Sequence, residues 1–195
     1  MKMSNIFFTS DLHFWHKKVI KYCNRPYTSL EQMNEHLIRR YNSFVHKDSI
    51  VYFLGDISFA GVIKTTGILS RLNGFKVLIK GNHDYKWKDA KWLKMGFNAV
   101  CDDYTLYIEN YKLQLSHYPY YPTLWEQIKT VVLFQKLRYL DNRLQDKGDW
   151  LLHGHVHNSW KIRRKMINVG VDVWNYRPIS LFEILKLIRS IENDK

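Results

Sequence analysis

Short apolar runs alternate with amphipathic stretches along the first half of the chain. Residues 5–9, 49–54 and 75–80 are apolar and short enough to be buried strands. Thr28, Ser29 and Gln32 form a capping-box pattern, and apolar residues follow it at helical spacing: Leu30, Met33, Leu37, Tyr41 and Phe44. A second helix is predicted around residues 62–72. Strands that alternate with helices predict βαβ units and a parallel sheet.

The second half has more strand-like segments. Residues 105–109 and 111–115 alternate between apolar and polar positions, and residues 150–152 and 166–169 are short apolar runs. Residues 122–146 look helical, with an apolar stripe typical of a core-facing helix at Leu133, Leu137, Leu140 and Leu144. Ser180 is positioned to cap a final helix that extends to about residue 191.

Polar motifs come directly after the predicted strands. They contribute, in chain order, Asp11 and His13, Asp56, Asn82 and His83, His117, and His155 and His157. Because α/β sheets gather their sites beyond the carboxyl ends of their strands, we expect these side chains to meet. His155 and His157 are alternate residues, so on an extended backbone they point to the same side.

Carboxylate, imidazole and amide oxygen are together a ligand set for divalent Mn, Fe, Zn, Ni or Co. The chain has two cysteines, Cys23 and Cys101, and no CxxC pair, which argues against a structural zinc site. Two adjacent cations need a shared carboxylate to screen their repulsion. Asp56 is the natural bridge, since it is a single acidic residue at a strand end between the other segments.

In this order, the motifs DLH, GD, GNHD, SH and GHVH resemble those of the calcineurin-like metallophosphoesterases. The surrounding sequence is similar to the small bacterial and phage-type members of that family. The resemblance implies an α/β fold, a four-layer αββα sandwich of two mixed β-sheets flanked by helices. It also implies a single domain over residues 1–195, with a helical insertion at about 122–146.

The resemblance assigns a role to each motif residue. One metal ion would be held by Asp11, His13 and His157, the other by Asn82, His117 and His155, with Asp56 bridging both. His83 would be the catalytic histidine beside the leaving group, and Asp84 its orienting partner. The chain departs from the protein-phosphatase branch because Asp56 is followed by Ile57-Ser58-Phe59 and no GDxxDRG motif. A phosphoprotein substrate is therefore not expected.

The implied activity is metal-dependent hydrolysis of a phosphodiester or phosphomonoester by in-line attack of a metal-bridging hydroxide. Mn²⁺ is the expected ion for both sites, with Fe, Zn, Ni or Co as alternatives. A catalytically inactive binding or scaffold module that retains the fold is the alternative function. Such a module should lack a ligand, and none of the expected positions is replaced. A β-lactamase-like hydrolase is disfavoured because the chain has no HxHxDH run.

The chain is basic, with 30 Lys and Arg against 18 Asp and Glu and a net charge of +12. Basic clusters follow three of the motifs and favour an anionic substrate. With 15% aromatic residues, this charge favours a nucleotide, a cyclic nucleotide or a nucleic-acid end. His16 and Arg25 are the candidate substrate contacts, with an exposed surface position as the alternative for each. Asp172 is a candidate hydrogen-bond partner for a ligand histidine.

Few features of the sequence bear on where the protein is located in the cell. Two isolated cysteines fit a reduced, cytoplasmic setting better than a disulfide scaffold. Asp11 and His13 interrupt the apolar N-terminal stretch, so neither a signal peptide nor a membrane partner is predicted. The pattern does not predict an oligomeric state.

Overall fold

The first of two β-sheets carries the N-terminal half of the protein. The computed structural model describes residues 5–127 and 139–194. This sheet has the strand order β10-β1-β2-β3-β4, in which β1 to β4 are parallel and β10 is antiparallel to β1. Its strands are β1 (Ile6–Thr9), β2 (Ile50–Phe53), β3 (Phe75–Ile79), β4 (Ala99–Cys101) and β10 (Ile179–Ser180).

Four helices connect these strands. They are α1 (Lys17–Tyr22), α2 (Leu30–Asn42), α3 (Val62–Leu69) and α4 (Asp89–Met95). The predicted cap of α2 is confirmed, since the Ser29 side chain accepts a hydrogen bond from the Gln32 amide at 3.1 Å. The helices cover one face of the sheet, in a core that includes Leu37, Phe53 and Trp92.

The second sheet has the strand order β5-β6-β7-β9-β8. Its strands are β5 (Asp103–Ile108), β6 (Tyr111–Ser116), β7 (Trp150–His153), β8 (Ile162–Arg163) and β9 (Met166–Asn168). β6, β7 and β9 are parallel, whereas β5 and β8 run antiparallel to their neighbours. Both sheets are therefore mixed.

The two sheets pack face to face. Successive strand residues point to opposite sides, so Phe7 faces the helical layer while Phe8 lies in the inter-sheet core with Leu115 and Leu152. The C-terminal helix α5 (Leu181–Asn193) adds Ile184 to that core. The predicted architecture of two mixed sheets with flanking helices is confirmed.

Some predicted elements differ from the structure. Helix α3 ends at Leu69, three residues before the predicted end. The middle of the predicted helix at 122–146, residues 128–138 with Leu133 and Leu137 of its stripe, lies outside the described residues, and residues 124–127 before it are helical. After that gap only Leu140–Asn142 is helical, as a single 3₁₀ turn, and residues 143–146 are irregular. Leu144 still packs in a small core with Tyr120 and Leu151.

The topology places the carboxyl ends of five strands at one edge of the molecule. β1, β2 and β3 are adjacent in the first sheet, and β6 and β7 are adjacent in the second. The loops beyond them are hydrogen-bonded to one another, for instance from the Asp11 amide to Gly55 O and from the Gly154 amide to His117 O. Within residues 5–127 and 139–194, no helix has both the length and the apolar character to cross a membrane.

Candidate metal centre

The loops at this edge bring the seven predicted ligand residues together. Asp11, His13 and His157 offer ligand atoms that lie within 4.8 Å of one another. Asp11 and His13 follow β1, whereas His157 follows β7 of the other sheet. The rings of His13 and His157 lie parallel, with centroids 4.9 Å apart. This group matches the set predicted for the first ion.

The set predicted for the second ion also converges. His117 Nε2 lies 3.1 Å from Asn82 Oδ1 and 3.2 Å from His155 Nδ1, and His155 Nδ1 is 3.1 Å from Asn82 Oδ1. His117 Nδ1 donates to Leu54 O at 2.7 Å, so in the neutral ring Nε2 carries the lone pair. Ligand atoms on one ion at bonds of about 2.0–2.2 Å lie roughly 3 Å apart, the spacing found here.

Asp56 lies between the two groups. Its Oδ2 is 3.7 Å from both His13 Nε2 and His117 Nε2. Its Oδ1 accepts a hydrogen bond from the His83 amide at 3.0 Å, which fixes the carboxylate. Burial is the main cause that raises the pKa of Asp56 to about 7; the nearby Asp11 and Asp84 contribute to the rise, and His117 opposes it. A cation at this position would restore the charged carboxylate.

The His13 ring fits a cation because no described residue forms a hydrogen bond with its nitrogens. His13 is 1% exposed, and neither of its ring nitrogens has a hydrogen-bond partner among the described residues. Its Nε2 faces two carboxylates, at 3.9 Å from Asp11 and 3.7 Å from Asp56. Buried polar atoms normally have partners, so an imidazole with none, beside two acids, indicates a metal ligand.

Glycines let the loops approach this closely. A Cβ at Gly154 would overlap Ser10 Oγ and the Asp11 carboxylate. A Cβ at Gly81 would overlap the Asp56 carboxylate in the same way. The motif glycines are therefore needed for the spacing of the acidic ligands.

Five of the seven residues have left-handed backbone conformations, which non-glycine residues rarely adopt. The φ angles are 56° at Asp11, 51° at His13, 56° at Asp56, 72° at His155 and 48° at His157. Such conformations cost about 1–3 kcal/mol each and collect at functional sites. The loop backbone is strained so that the side chains point inward.

His83 lies at the rim of the centre. Its side chain is 44% exposed, and its Nε2 is 3.9 Å from Asp56 Oδ2. Burial lowers its pKa, and so does the neighbouring His117. The position next to the ligands, with access to solvent, is compatible with a group that meets the substrate.

Asp84 does not orient the His83 ring, so that prediction is wrong. Asp84 is fully buried, and its carboxylate accepts hydrogen bonds from three backbone amides instead. The Asp56 and Gly81 amides donate to Oδ2 at 2.7 and 2.9 Å, and the Ile57 amide donates to Oδ1 at 3.2 Å. Asp84 therefore fastens the loop after β2 to the loop after β3.

Arg25 is not available to a substrate, and both its predicted substrate role and a surface role are wrong. It is 4% exposed and pairs with Asp172 through Nε at 2.7 Å and Nη2 at 2.9 Å. Its remaining donors contact Leu12 O, Asp11 O and Met33 Sδ. The guanidinium has the geometry to hold the Asp11 loop in place.

Asp172 lies where a partner of a ligand histidine would be expected. Its Oδ2 is 3.5 Å from His157 Nδ1. Burial lowers the pKa of His157, but Asp172, Cys23 and Asp11 more than offset that effect and raise it to about 11. Asp172 thus links Arg25 to the ligand shell.

A cleft with two lobes opens above the centre. The smaller lobe, of about 330 Å³, is lined by ligand residues with His83, Tyr139 and Arg143. The larger lobe, of about 730 Å³, extends past His16, Phe59 and Trp160. His16 therefore reaches the site, and its ring stacks on Phe59 at a centroid distance of 3.7 Å. Arg143, Tyr139 and Phe59 belong to no motif, so the sequence offered no signal for them.

Comparison with known proteins agrees with this geometry. Residues 4–175 match the family model described as calcineurin-like phosphoesterase. An uncharacterized protein of Methanocaldococcus jannaschii is 36% identical over 96% of this chain and 93% of its own length. The gene 66 protein of Mycobacterium phage L5 is 33% identical over 99% of this chain and 98% of its own.

One solved structure is similar over nearly the whole chain. It is a protein of unknown function from Aquifex aeolicus, with a TM-score of 0.66 and 27% identity. The match covers 93% of this chain and 98% of that one. The resemblance to the metallophosphoesterases is confirmed by the family match, which spans every predicted ligand.

Proposed function

Since the chain belongs to the calcineurin-like phosphoesterases and is a metal-dependent phosphoric ester hydrolase, we propose that it uses two divalent ions. Mn²⁺ is the proposed ion, with Fe, Zn, Ni or Co as alternatives. The observation that carries the proposal is the convergence of two ligand groups on Asp56. When bound, two such ions supply a hydroxide for in-line attack at neutral pH and neutralise charge on the phosphoryl group.

The chain's own residues hold and orient these groups. In the proposal, Asp11, His13 and His157 bind one ion and Asn82, His117 and His155 the other, with Asp56 shared. The Leu54 carbonyl fixes the His117 tautomer. His83, at the rim, donates a proton to the leaving oxygen or stabilises its charge.

The proposed substrate is a phosphodiester or phosphomonoester of a nucleotide, a cyclic nucleotide or a nucleic-acid end. Exposed lysines flank the cleft, with Lys17, Lys18 and Lys21 on α1, whose Val19 and Tyr22 line the larger lobe. Lys86 lies 5.8 Å from the ring of Phe59, which also lines the larger lobe, and 4.3 Å from the Trp87 ring. Lysines beside aromatic rings suit phosphate and base contacts.

A hydrolysis panel with added Mn²⁺ tests the activity. The substrates are bis-p-nitrophenyl phosphate, p-nitrophenyl phosphate, 2′,3′-cyclic nucleotides, and end-labelled DNA and RNA. We expect turnover of at least one of them, and its loss in Asp56→Asn. A parent protein that binds two Mn²⁺ ions but turns over none of them would favour the binding or scaffold module.

Metal stoichiometry tests the two-ion centre separately. Equilibrium dialysis against Mn²⁺, followed by elemental analysis, should give two ions per chain in the parent and fewer in Asp56→Asn. A content well below two in the folded parent would contradict the dinuclear assignment.

His83→Ala should keep the metal content and lower turnover by about 10² or more, because the leaving group loses its proton donor. Elemental analysis and steady-state kinetics with bis-p-nitrophenyl phosphate measure the two effects. Full turnover in a folded, metal-replete His83→Ala protein would remove the residue from the mechanism.

The dependence of binding affinity on salt concentration tests for a polynucleotide partner. Binding that neutralises several phosphates should weaken steeply between about 50 and 200 mM salt. Fluorescence anisotropy with labelled single-stranded DNA measures the slope, and a flat response would restrict the substrate to small esters. The cytoplasmic location stays a prediction from the two unpaired cysteines.

A further inference from the structure

Arg143 lies where the two lobes of the cleft meet. The smaller, metal-lined lobe and the larger lobe share four residues, His83, Arg143, His155 and His157. Three of these are histidines. Among the described residues that line either lobe, Arg143 is the one arginine, and no lysine lines them. Among the described residues at the junction, Arg143 is therefore the side chain whose positive charge does not depend on protonation of an imidazole.

The guanidinium of Arg143 has no ion-pair partner in the described chain. Within residues 5–127 and 139–194, no carboxylate lies within 4.0 Å of it. Its Nε is buried and lacks a hydrogen-bond partner among the same residues. Burial lowers the pKa of Arg143, and Glu126 and Tyr118 offset only part of that effect. A half-buried guanidinium with no paired carboxylate destabilises the folded state. A purely structural role does not explain why the protein has one here.

Arg25 shows what a structural arginine looks like in this protein. All of its donor nitrogens contact acceptors within the fold, including both oxygens of Asp172. Arg143 differs in both respects, since its Nε is unsatisfied and it lines the open cleft. Arg25 therefore stabilises the loops, whereas Arg143 is accessible to a ligand.

The backbone around Arg143 is anchored. Its amide donates to Leu140 O at 3.0 Å, and the carbonyl of the next residue, Leu144, accepts from the Tyr121 amide at 2.8 Å. Leu144 packs against the core of Tyr120 and Leu151. The side chain therefore extends into the cleft from a fixed point.

We propose that Arg143 binds the non-bridging oxygens of the substrate phosphate and sets the phosphoryl group at the junction of the two lobes. The inference rests on the proposed function and adds the residue that recognises the anion. A guanidinium suits this task because its fork of N–H donors matches two phosphate oxygens. With the phosphate at the junction, the ester substituent extends into the larger lobe, past Phe59 and Trp160.

Binding of inorganic phosphate to the Mn²⁺-loaded protein tests the inference without turnover. Isothermal titration calorimetry should show a Kd that rises about 10- to 100-fold in Arg143→Ala, the effect of losing a charge-assisted hydrogen bond. Arg143→Lys should retain part of the affinity, since it keeps the charge without the fork. Arg189→Ala is the matched control, because Arg189 is exposed and pairs with Glu109 away from the cleft.

Kinetics and stability separate binding from structure. For bis-p-nitrophenyl phosphate, kcat/KM of Arg143→Ala should fall by a similar factor, and millimolar guanidinium should restore part of it. The Mn²⁺ content and the unfolding temperature should match the parent. Arg143→Gln removes the charge but keeps much of the side-chain volume, and it should lose phosphate affinity to the same extent as Arg143→Ala. It replaces the alanine variant in the test if that variant fails to fold.

The two levels of the proposal fail differently. Phosphate affinity within twofold of the parent in metal-replete Arg143→Ala or Arg143→Gln would overturn the role of Arg143, while turnover by the parent would stand. Loss of metal or a lower unfolding temperature in both variants would assign Arg143 to structure. A parent that neither binds phosphate nor hydrolyses any ester would overturn the proposed function as well.

Discussion

At the scale of single residues, two buried side chains hold the loops of the metal centre from behind. Arg25 contacts the carbonyls of Asp11 and Leu12, and Asp84 accepts from three backbone amides. Neither faces the cleft, yet both determine where ligand-bearing loops lie. Their effects should therefore appear in stability and metal content before they appear in substrate affinity.

Arg25→Ala should lower the free energy of unfolding by about 3–5 kcal/mol, because it leaves Asp172 buried without its partner. Urea unfolding followed by circular dichroism measures the change. Arg39→Ala removes an exposed arginine and should stay within about 0.5 kcal/mol of the parent. A loss below 1 kcal/mol in Arg25→Ala would show that the pair is not structural.

Asp84→Ala should cost about 2 kcal/mol or more, since three buried amides lose their acceptor. It should also lower the Mn²⁺ content, because Asp84 fastens the amide of Asp56, itself a predicted ligand, and the amide of Gly81, which precedes the predicted ligand Asn82. Urea unfolding and elemental analysis test both effects, with His83→Ala as the neighbouring comparison. Equal metal content in the two variants would contradict this role for Asp84.

Some residues of the site can be predicted from local sequence patterns, whereas others depend on contacts between segments that are distant in the sequence. The positions of Asp11, Asp56 and His117 follow from strand ends, which an apolar pattern identifies. The partners of Arg25 and Asp84 do not, because they depend on contacts between distant segments; Arg25 and Asp172 are 147 residues apart. Left-handed backbone at His13 or His157 has no sequence pattern, because only a few per cent of non-glycine residues adopt it.

At the scale of elements, the long capped helices α2 and α5 were predicted well and the short basic ones were not. Helix α2 has 13 residues and a clear cap, whereas α1 and α4 have 6 and 7 residues rich in lysine. A helix of two turns has too few apolar positions to show a period. Tertiary packing, at Val19 in α1 and Trp92 in α4, supplies what the local pattern lacks.

The end of the chain offers a test of helix capping with a pH dependence. Ser180 and Glu183 form the capping box of α5, and Arg177 also donates to the Glu183 carboxylate at 2.7 Å. Burial raises the pKa of Glu183, but hydrogen bonds from Arg177 and Ser180 outweigh it and lower the pKa from 4.5 to about 2. The charged form is therefore the stabilising one.

Glu183→Ala should lose about 1 kcal/mol at pH 7. The loss should shrink as pH falls from about 4.5 towards 2, where the carboxylate of the parent becomes protonated and its contribution disappears. Urea unfolding at pH 7, 5 and 3 gives the comparison. Glu183→Gln keeps the side-chain length without the charge, so its smaller effect should vary less with pH.

Gly154→Ala should reduce Mn²⁺ content, because its methyl group would overlap the Asp11 carboxylate and separate the loops of the two sheets. Gly67→Ala is the matched control, since that position in α3 has no atom near the new methyl group. The control should gain about 0.5–1 kcal/mol from its better helix propensity. Unchanged metal content in Gly154→Ala would show that the loops can separate without loss of the site.

At the scale of the whole molecule, the candidate centre joins the two sheets. Asp11, Asp56 and Asn82 follow strands of the first sheet, while His117 and His155 follow strands of the second. The His155 amide also donates to the Asp11 carboxylate at 3.0 Å across that boundary. Ions bound here would contact both halves of the fold.

Metal should therefore stabilise the molecule globally. An ion at 100 times its Kd adds about 2.7 kcal/mol, so Mn²⁺ should raise the unfolding temperature and EDTA should reverse the rise. Differential scanning calorimetry of the parent and of Asp56→Asn measures the shift, which should be much smaller in the variant. An equal shift in both proteins would place the stabilising ion elsewhere.

The division of the ligands between two sheets also affects how the centre acquires its ions during synthesis. In the proposed assignment, neither ligand group is complete until His155 and His157 have left the ribosome and the second sheet has docked on the first. Loading would then follow synthesis of the segment that carries these two histidines and could not begin on the N-terminal half alone. Imidazole and carboxylate ligands accept several divalent ions, so the ion that the protein carries should depend on the cellular supply at that moment.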